Sequence, residues 1–426
     1  MKKLLSVLFV AVAISCMGQN NKWLQHRPNK RSESKFQKMT TEEVKRYEAG
    51  TMRRIADLAL IPPEIKTGYL PEYDYNTQDY VMALTIERTA KGRIWSAWIG
   101  ECDCPRSFLL AATSDDNGET WSKPRLVIDG RSSSLPIPRT VIIGNFWTDP
   151  SGKLWLFFDQ TMNHFDGRSG LWAIVCENPD ADNPVWSEPK RIWHGSMLCK
   201  PLVLSSGEWM LPSYLLQNGG FGPFNGVFPE LDRYRGVNVL VSKDQGKSWE
   251  LRGIRTFPDP DWHEAMIVEK RDGKLWMMAR TRKGIMESFS DNKGVTWSEP
   301  AFTAANIQHP ASRFFFRRLA SGRILLVKNG DQLNEHHGRN QFSAWLSEDD
   351  GKTWKGGLVF EDRDKVTYPD GFQAPDGTIY ISYDHNRGPG EITMAKFTEE
   401  DILAGKIVSP QSKLKMVIAR PLKNTK

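Results

Sequence analysis

Four stretches of the chain are nearly alike: SDDNGETW at Ser114–Trp121, SKDQGKSW at Ser242–Trp249, SDNKGVTW at Ser290–Trp297 and SEDDGKTW at Ser347–Trp354. Each has a serine, an aspartate or asparagine two residues on, then a glycine and a closing tryptophan. Serine and aspartate side chains hydrogen-bond the amides of a turn, glycine supplies positive φ, and tryptophan offers a broad face for a neighbouring layer. A short motif of fixed sequence and wandering spacing marks one structural position in a repeated module. Its chemistry is architectural, so a functional site must lie elsewhere.

Working outward, six further signals recur: AKGRIW at Ala90, PSGKLW at Pro150, SSGEWM at Ser205, RDGKLW at Arg271, ASGRIL at Ala320 and PDGTIY at Pro375. Each places a glycine in a tight turn before a strand of bulky residues. The glycines (Gly92, Gly152, Gly207, Gly273, Gly322 and Gly377) recur at intervals of 49 to 66 residues. A four-stranded antiparallel sheet with its loops needs about that length, which is the period of a propeller blade. Six hairpins predict six blades, with each serine-led motif following the third strand of its blade. NPDADNPVW, before Ser187, reads as a worn copy in a further blade. The Phe314–Phe316 run alternates as a strand does and reads as packing between blades.

The expected fold is therefore all-β: a six-bladed β-propeller over residues 71–410, with a helical extension over 19–70 and a tail over 411–426. In the extension, Thr40 or Thr41 before Glu42 and Glu43 reads as a capped helix start. Val44, Tyr47, Met52, Ile55 and Leu58 can share one face of that helix. Residues 1–18 pair two lysines with an apolar stretch from Leu4 to Ile14 and read as an export signal. AISC at Ala13–Cys16 resembles a lipoprotein box that would lipidate Cys16, whereas cleavage after Gly18 would release a soluble protein; the lipidated form, in the periplasm or at the outer membrane of a bacterium, is favoured.

The 426 residues carry a formal charge of +6, with 39% hydrophobic and 25% charged residues, sixteen tryptophans and twenty phenylalanines. The modest positive surplus favours an acidic partner, and the lack of any Lys/Arg run excludes a nucleic-acid tail. Cys102 and Cys104 stand too close for a zinc knuckle, so these and Cys176 and Cys199 are expected as buried thiols, with one disulfide possible. No metal or other cofactor is implied, and the chain is expected to be a monomer.

The four serine-led motifs resemble the Asp-box of the sialidase superfamily, over about residues 75–400. HEAMIVEKRDGKLWMMAR resembles the fourth blade of those enzymes, SRFFFRRLASGRILL the fifth, and YPDGFQAPDGTIYISYD the sixth. The resemblance implies Tyr368 as a nucleophile activated by Glu264, with Arg280 and Arg313 as carboxylate-binding arginines. The first blade departs from the pattern. DYVMALTIE has Tyr80 or Val81 where the family carries the arginine that begins its carboxylate clamp, and only Asp103 stands near the place of a general acid.

Strand ends that open onto the axial mouth bring in further candidates: His164, Arg168, Asp159, Lys200, His263, His309, His336, His337, Tyr383 and His385. Arginines on a carboxylate with histidine or tyrosine as base and acid suit β-elimination at a uronic acid, which needs a stabilised enolate. The sequence thus points to a lyase or dehydratase acting on acidic oligosaccharides. His263, Tyr368, Glu264 and His164 are its catalytic candidates. Arg280, Arg313, Arg168, Lys200, Asp159, His309, Tyr383 and His385 are its binding candidates. A sialidase-like exo-glycosidase and a non-catalytic carbohydrate-binding propeller are the alternatives.

Overall fold

The computed structural model describes residues 40–163, 165, 168–217 and 224–423. It contains six antiparallel sheets. Blade 1 comprises β2 (Met82–Arg88), β3 (Ile94–Gly100), β4 (Phe108–Ser114) and β5 (Leu126–Asp129), with β1 (Glu64–Thr67) added to its outer edge. Blade 2 comprises β6 (Arg139–Thr148), β7 (Leu154–Met162), β8 (Gly170–Cys176) and β9 (Lys190–His194). Blade 3 comprises β10 (Leu202–Val203), β11 (Trp209–Leu215), β12 (Gly236–Ser242) and β13 (Glu250–Arg255). Blade 4 comprises β14 (Pro260–Glu269), β15 (Leu275–Thr281), β16 (Gly284–Ser290) and β17 (Ala301–Phe302). Blade 5 comprises β18 (Phe315–Arg318), β19 (Ile324–Asn329), β20 (Phe342–Ser347) and β21 (Lys355–Glu361). Blade 6 comprises β22 (Val366–Gln373), β23 (Ile379–His385), β24 (Glu391–Phe397) and β25 (Lys413–Ala419). The propeller therefore runs past residue 410, because β25 hydrogen-bonds β24 as an outer strand and is not a tail.

All six hairpin glycines have positive φ, between 81° and 108°, and each joins the first two strands of a blade. Every serine-led turn follows a third strand. In the first copy Ser114 Oγ accepts from the Gly118 amide (2.9 Å) and Asp116 from the Thr120 amide (2.9 Å) and hydroxyl (2.6 Å). The copies at Asp244 and Asp349 repeat these bonds. Blades meet through large aromatic faces: Trp147 lies edge-on to Trp209 at 4.7 Å, and Trp276 to Phe316 at 4.8 Å. Phe314 and Phe316 pack in the core shared with blades 2 to 4, while Phe315 faces the core of blades 5 and 6.

Helix α1 (Thr41–Asp57) begins with the capping box of Thr40 and Glu43. Met52, Ile55 and the following Leu58 pack against Phe224, Phe228 and Leu231, whereas Tyr47 is exposed. A bidentate Arg53–Glu230 pair and hydrogen bonds from Gln160 to the carbonyls of Ala59 and Ile61 fasten the extension to the propeller. The export signal and Cys16 lie outside the described residues.

Blade 6 closes the ring on blade 1 through two buried carboxylates. Asp384 accepts from the Ala83 amide (3.1 Å), and Asp370 from the Ile86 amide (3.1 Å) and the Thr85 hydroxyl (2.8 Å). On the axis, Lys200 Nζ lies 3.0 Å from both Glu87 and Asp370 and donates to the carbonyls of Ile86 (2.7 Å) and Phe146 (2.8 Å). Arg313 completes this plug by donating to Leu84 O (2.7 Å) and Asp370 (3.0 Å).

Candidate active site

The innermost strands of blades 1, 2, 4 and 6 all lose register towards the mouth: β2 between Ala83 and Thr85, β6 between Val141 and Gly144, β14 around His263, and β22 between Thr367 and Asp370. A bulge takes a residue off the hydrogen-bond ladder and re-aims its side chain. In β14 the bulge contains Glu264 at φ 41°, and in β22 it contains Tyr368 at φ 57°. Side-chain-bearing residues in the left-handed region cost on the order of 1–3 kcal/mol and concentrate at functional sites. Here both strained residues line one cavity.

That cavity encloses about 310 Å³. Glu264, Tyr368 and Asp103 give it polar groups, while Met82, Ile142, Ile143, Phe165, Leu198 and Trp262 form apolar walls. Phe165 and Trp262 meet edge to face at 4.5 Å. Glu264 is buried; Oε1 accepts from Arg280 Nη1 (2.7 Å), and Oε2 has no hydrogen-bond donor among the described residues. Asp261 holds the other edge of Arg280, through Nε (3.0 Å) and Nη2 (2.7 Å). Burial opposes the charge on Arg280, but Glu264, Tyr368 and Asp261 outweigh it and keep the guanidinium firmly protonated. Burial and the Glu264 carboxylate push the Tyr368 phenol above its ordinary value, against the pull of Arg280 and Arg387.

Arg387 was the main omission of the sequence reading. Its guanidinium stacks 4.4 Å from the centre of the Tyr368 ring, donates to Thr367 Oγ1 (2.9 Å), and pairs with Asp384 and Asp103 (3.3 Å each). Its carbonyl accepts from the Val81 amide (2.9 Å). An arginine of blade 6 thus stands beside the first-blade position where the resemblance finds none. It lies in SYDHNRG, two residues after the His385 that the sequence offers for the mouth. Asp261, two residues before His263, had no signal of its own.

Several candidates lie elsewhere. Arg313 and Lys200 are buried in the axial plug rather than at the mouth, because the carboxylates of Asp370 and Glu87 hold them there. Asp159 is sealed behind β6, where it accepts from the Ile143 amide (2.8 Å), and burial pushes its carboxyl up to about 8. Tyr383 belongs to the core of blades 5 and 6 and donates to Glu361 (2.8 Å). His309 is buried, with Nδ1 accepting from the Asn329 amide (3.3 Å), and burial holds it neutral far below its ordinary value. His385 lies 3.7 Å from Glu391, and His336 accepts from the Gly338 amide within its own loop. Arg168 pairs with Asp57 of α1 (2.9 Å). His164 lies outside the described residues, and His263 is described by its backbone alone, paired with Arg280. Cys102 and Cys104 form a disulfide around Asp103, whereas Cys176 and Cys199 are buried thiols.

No curated protein matches the chain significantly. Among solved structures, a protein of unknown function from Dyadobacter fermentans superposes with a TM-score of 0.55 at 15% identity, covering 79% of this chain and 97% of that one. A leech intramolecular trans-sialidase superposes at 0.58 with 13% identity, covering 80% and 71%. The intramolecular trans-sialidase of Ruminococcus gnavus superposes at 0.57 with 13% identity, covering 81% and 99%. At these identities the likeness is one of fold. The family model described as "BNR repeat-like domain" matches residues 92–381, about two thirds of the chain. The chain belongs to that BNR repeat-like family, and its fold is the six-bladed propeller of the sialidase superfamily.

Proposed function

We propose that the chain is a carbohydrate-active enzyme that hydrolyses a glycosidic bond at the axial cavity, with Tyr368 as nucleophile. The observation that carries this reading is the strained pair, Glu264 and Tyr368, brought by two bulges into one small pocket together with Asp103. A tyrosine can replace the usual nucleophilic carboxylate of a retaining glycosidase. Glu264, which lines the same cavity and whose Oε2 has no donor among the described residues, would take the phenolic proton as Tyr368 Oη bonds to the anomeric carbon. Asp103, on the cavity rim, would give its proton to the departing glycosidic oxygen and then take one from the water that cleaves the tyrosyl sugar. Glu264 returns its proton to the freed phenolate. Arg280 fixes Glu264, and Arg387, stacked on the ring, favours negative charge building on the phenol.

The β-elimination read from the sequence rests on imidazoles at the mouth. The side chains of its two catalytic histidines, His263 and His164, lie outside the described ones, whereas a tyrosine and two carboxylates line the cavity. Our hydrolytic reading rests on that tyrosine and those carboxylates. A panel of oligosaccharides and aryl glycosides separates the two. Hydrolysis releases reducing sugar without near-ultraviolet absorbance, whereas an absorbing unsaturated product would replace this reading with elimination. We place the enzyme in the cell envelope on the export signal read in residues 1–18.

A further inference from the structure

We infer that the sugar seated in this cavity carries no carboxylate: it is a neutral glycoside held through its hydroxyls and its C–H faces. The inference rests on the reading of the cavity as a glycoside site and departs from the acidic partner expected from the sequence. That expectation took Arg280 and Arg313 as a carboxylate clamp. The structure gives each of these two, and Arg387 beside them, an internal anion instead. Arg280 holds Asp261 and Glu264; Arg387 holds Asp384 and Asp103; Arg313, fully buried in the plug, holds Asp370.

Two guanidinium groups at the mouth thus face three carboxylates, Asp261, Glu264 and Asp384, besides the acid Asp103. A carboxylate on the substrate would have to displace Asp261 from a buried two-point contact or Asp103 from Arg387, and would still meet the unpaired Glu264 Oε2. Like charges beside the fully buried Glu264 repel more strongly than they would in water. The same oxygen needs a donor, because a buried carboxylate oxygen left unbonded is costly, and a sugar hydroxyl supplies one. Trp262, Phe165 and Leu198 offer the apolar surface that the C–H face of a neutral sugar ring can cover.

Calorimetric titration of the chain with matched pairs tests this: methyl glycosides of neutral hexoses against the uronates that differ only at C6, with the methyl glycoside of N-acetylneuraminic acid alongside. At least one neutral member is expected to bind tenfold or more tighter than its uronate, with affinity unchanged between 50 and 300 mM NaCl. Uronates or the sialoside binding as tightly in every pair would overturn the substrate class while leaving the glycoside reading intact. No binding by any sugar would overturn both. Asp261→Asn, which frees one edge of Arg280, is expected to shift the uronate-to-neutral affinity ratio at least tenfold towards the uronate. Should that variant fail to fold, Asp103→Asn makes the same test at Arg387. An unchanged ratio in the folded variant contradicts the charge balance.

Discussion

Tyr368 and Glu264 both hold left-handed backbone conformations, and each sits where a bulge turns it towards the axis. Asp103 is the third member. Asp103→Asn is expected to lower kcat/KM by about 10²–10⁴-fold on a substrate with a poor leaving group. On a nitrophenyl glycoside, which departs without protonation, the loss should be much smaller. Equal losses on both substrates would remove Asp103 from the acid role. Asp159 poses a different test. Its carboxyl titrates near 8 in the folded protein against an ordinary value of 3.8, because burial penalises the charge. The unfolded chain releases that proton near pH 4. The stability associated with neutral Asp159 is therefore fully present below pH 4 and lost as pH rises through 8. Asp159→Asn should remove this loss, so the melting temperature of the variant should gain on the wild type between pH 5 and 8.5. Parallel curves would contradict it. Tyr368, Glu264 and Arg280 were legible because their neighbours spell out blade motifs. Arg313 and Lys200 were misplaced because sequence alone does not show that Asp370 and Glu87 wait on the axis to bind them.

At the scale of elements, the serine-led turns explain why the fold could be read. Each turn closes on its own side chains, so its sequence fixes its shape whatever surrounds it. Asn292, which stands where the other three copies have aspartate, keeps the same ring by reversing one bond: its amide donates to Thr296 Oγ1 at 2.7 Å, where an aspartate would accept. The glycines differ in what a side chain would meet. Gly351 has φ 91°, and a Cβ there would lie 2.1 Å from the Trp276 ring of the next blade, whereas Gly207 has φ 84° and open space. Gly351→Ala should thus destabilise by roughly 1–3 kcal/mol beyond the backbone strain the two positions share. Thermal unfolding of both variants checks this, and an equal fall at Gly207→Ala would mean that the inter-blade contact contributes nothing. The β-bulges had no such signal, since a bulge is set by pairing with a strand far along the chain.

Across the whole molecule, six sheets surround a channel whose middle is filled by charge. Lys200, from blade 3, touches blades 1, 2 and 6 through buried carboxylates and carbonyls, and Arg313 brings in blade 5. Removing Lys200 leaves buried Glu87 without its ion-pair partner and Asp370 with Arg313 alone. Lys200→Met is accordingly expected to cost about 3–5 kcal/mol in urea unfolding, with sugar binding at the mouth preserved in the folded fraction. A loss of binding without loss of stability would return Lys200 to the substrate. The central claim concerns Tyr368, and it is tested most directly by mass spectrometry of peptides from enzyme quenched during turnover of a fast-cleaved aryl glycoside. A hexose-sized mass increment is expected on the peptide containing Tyr368, absent in Tyr368→Phe. Steady turnover with that peptide unmodified, or undiminished turnover by Tyr368→Phe, would contradict it.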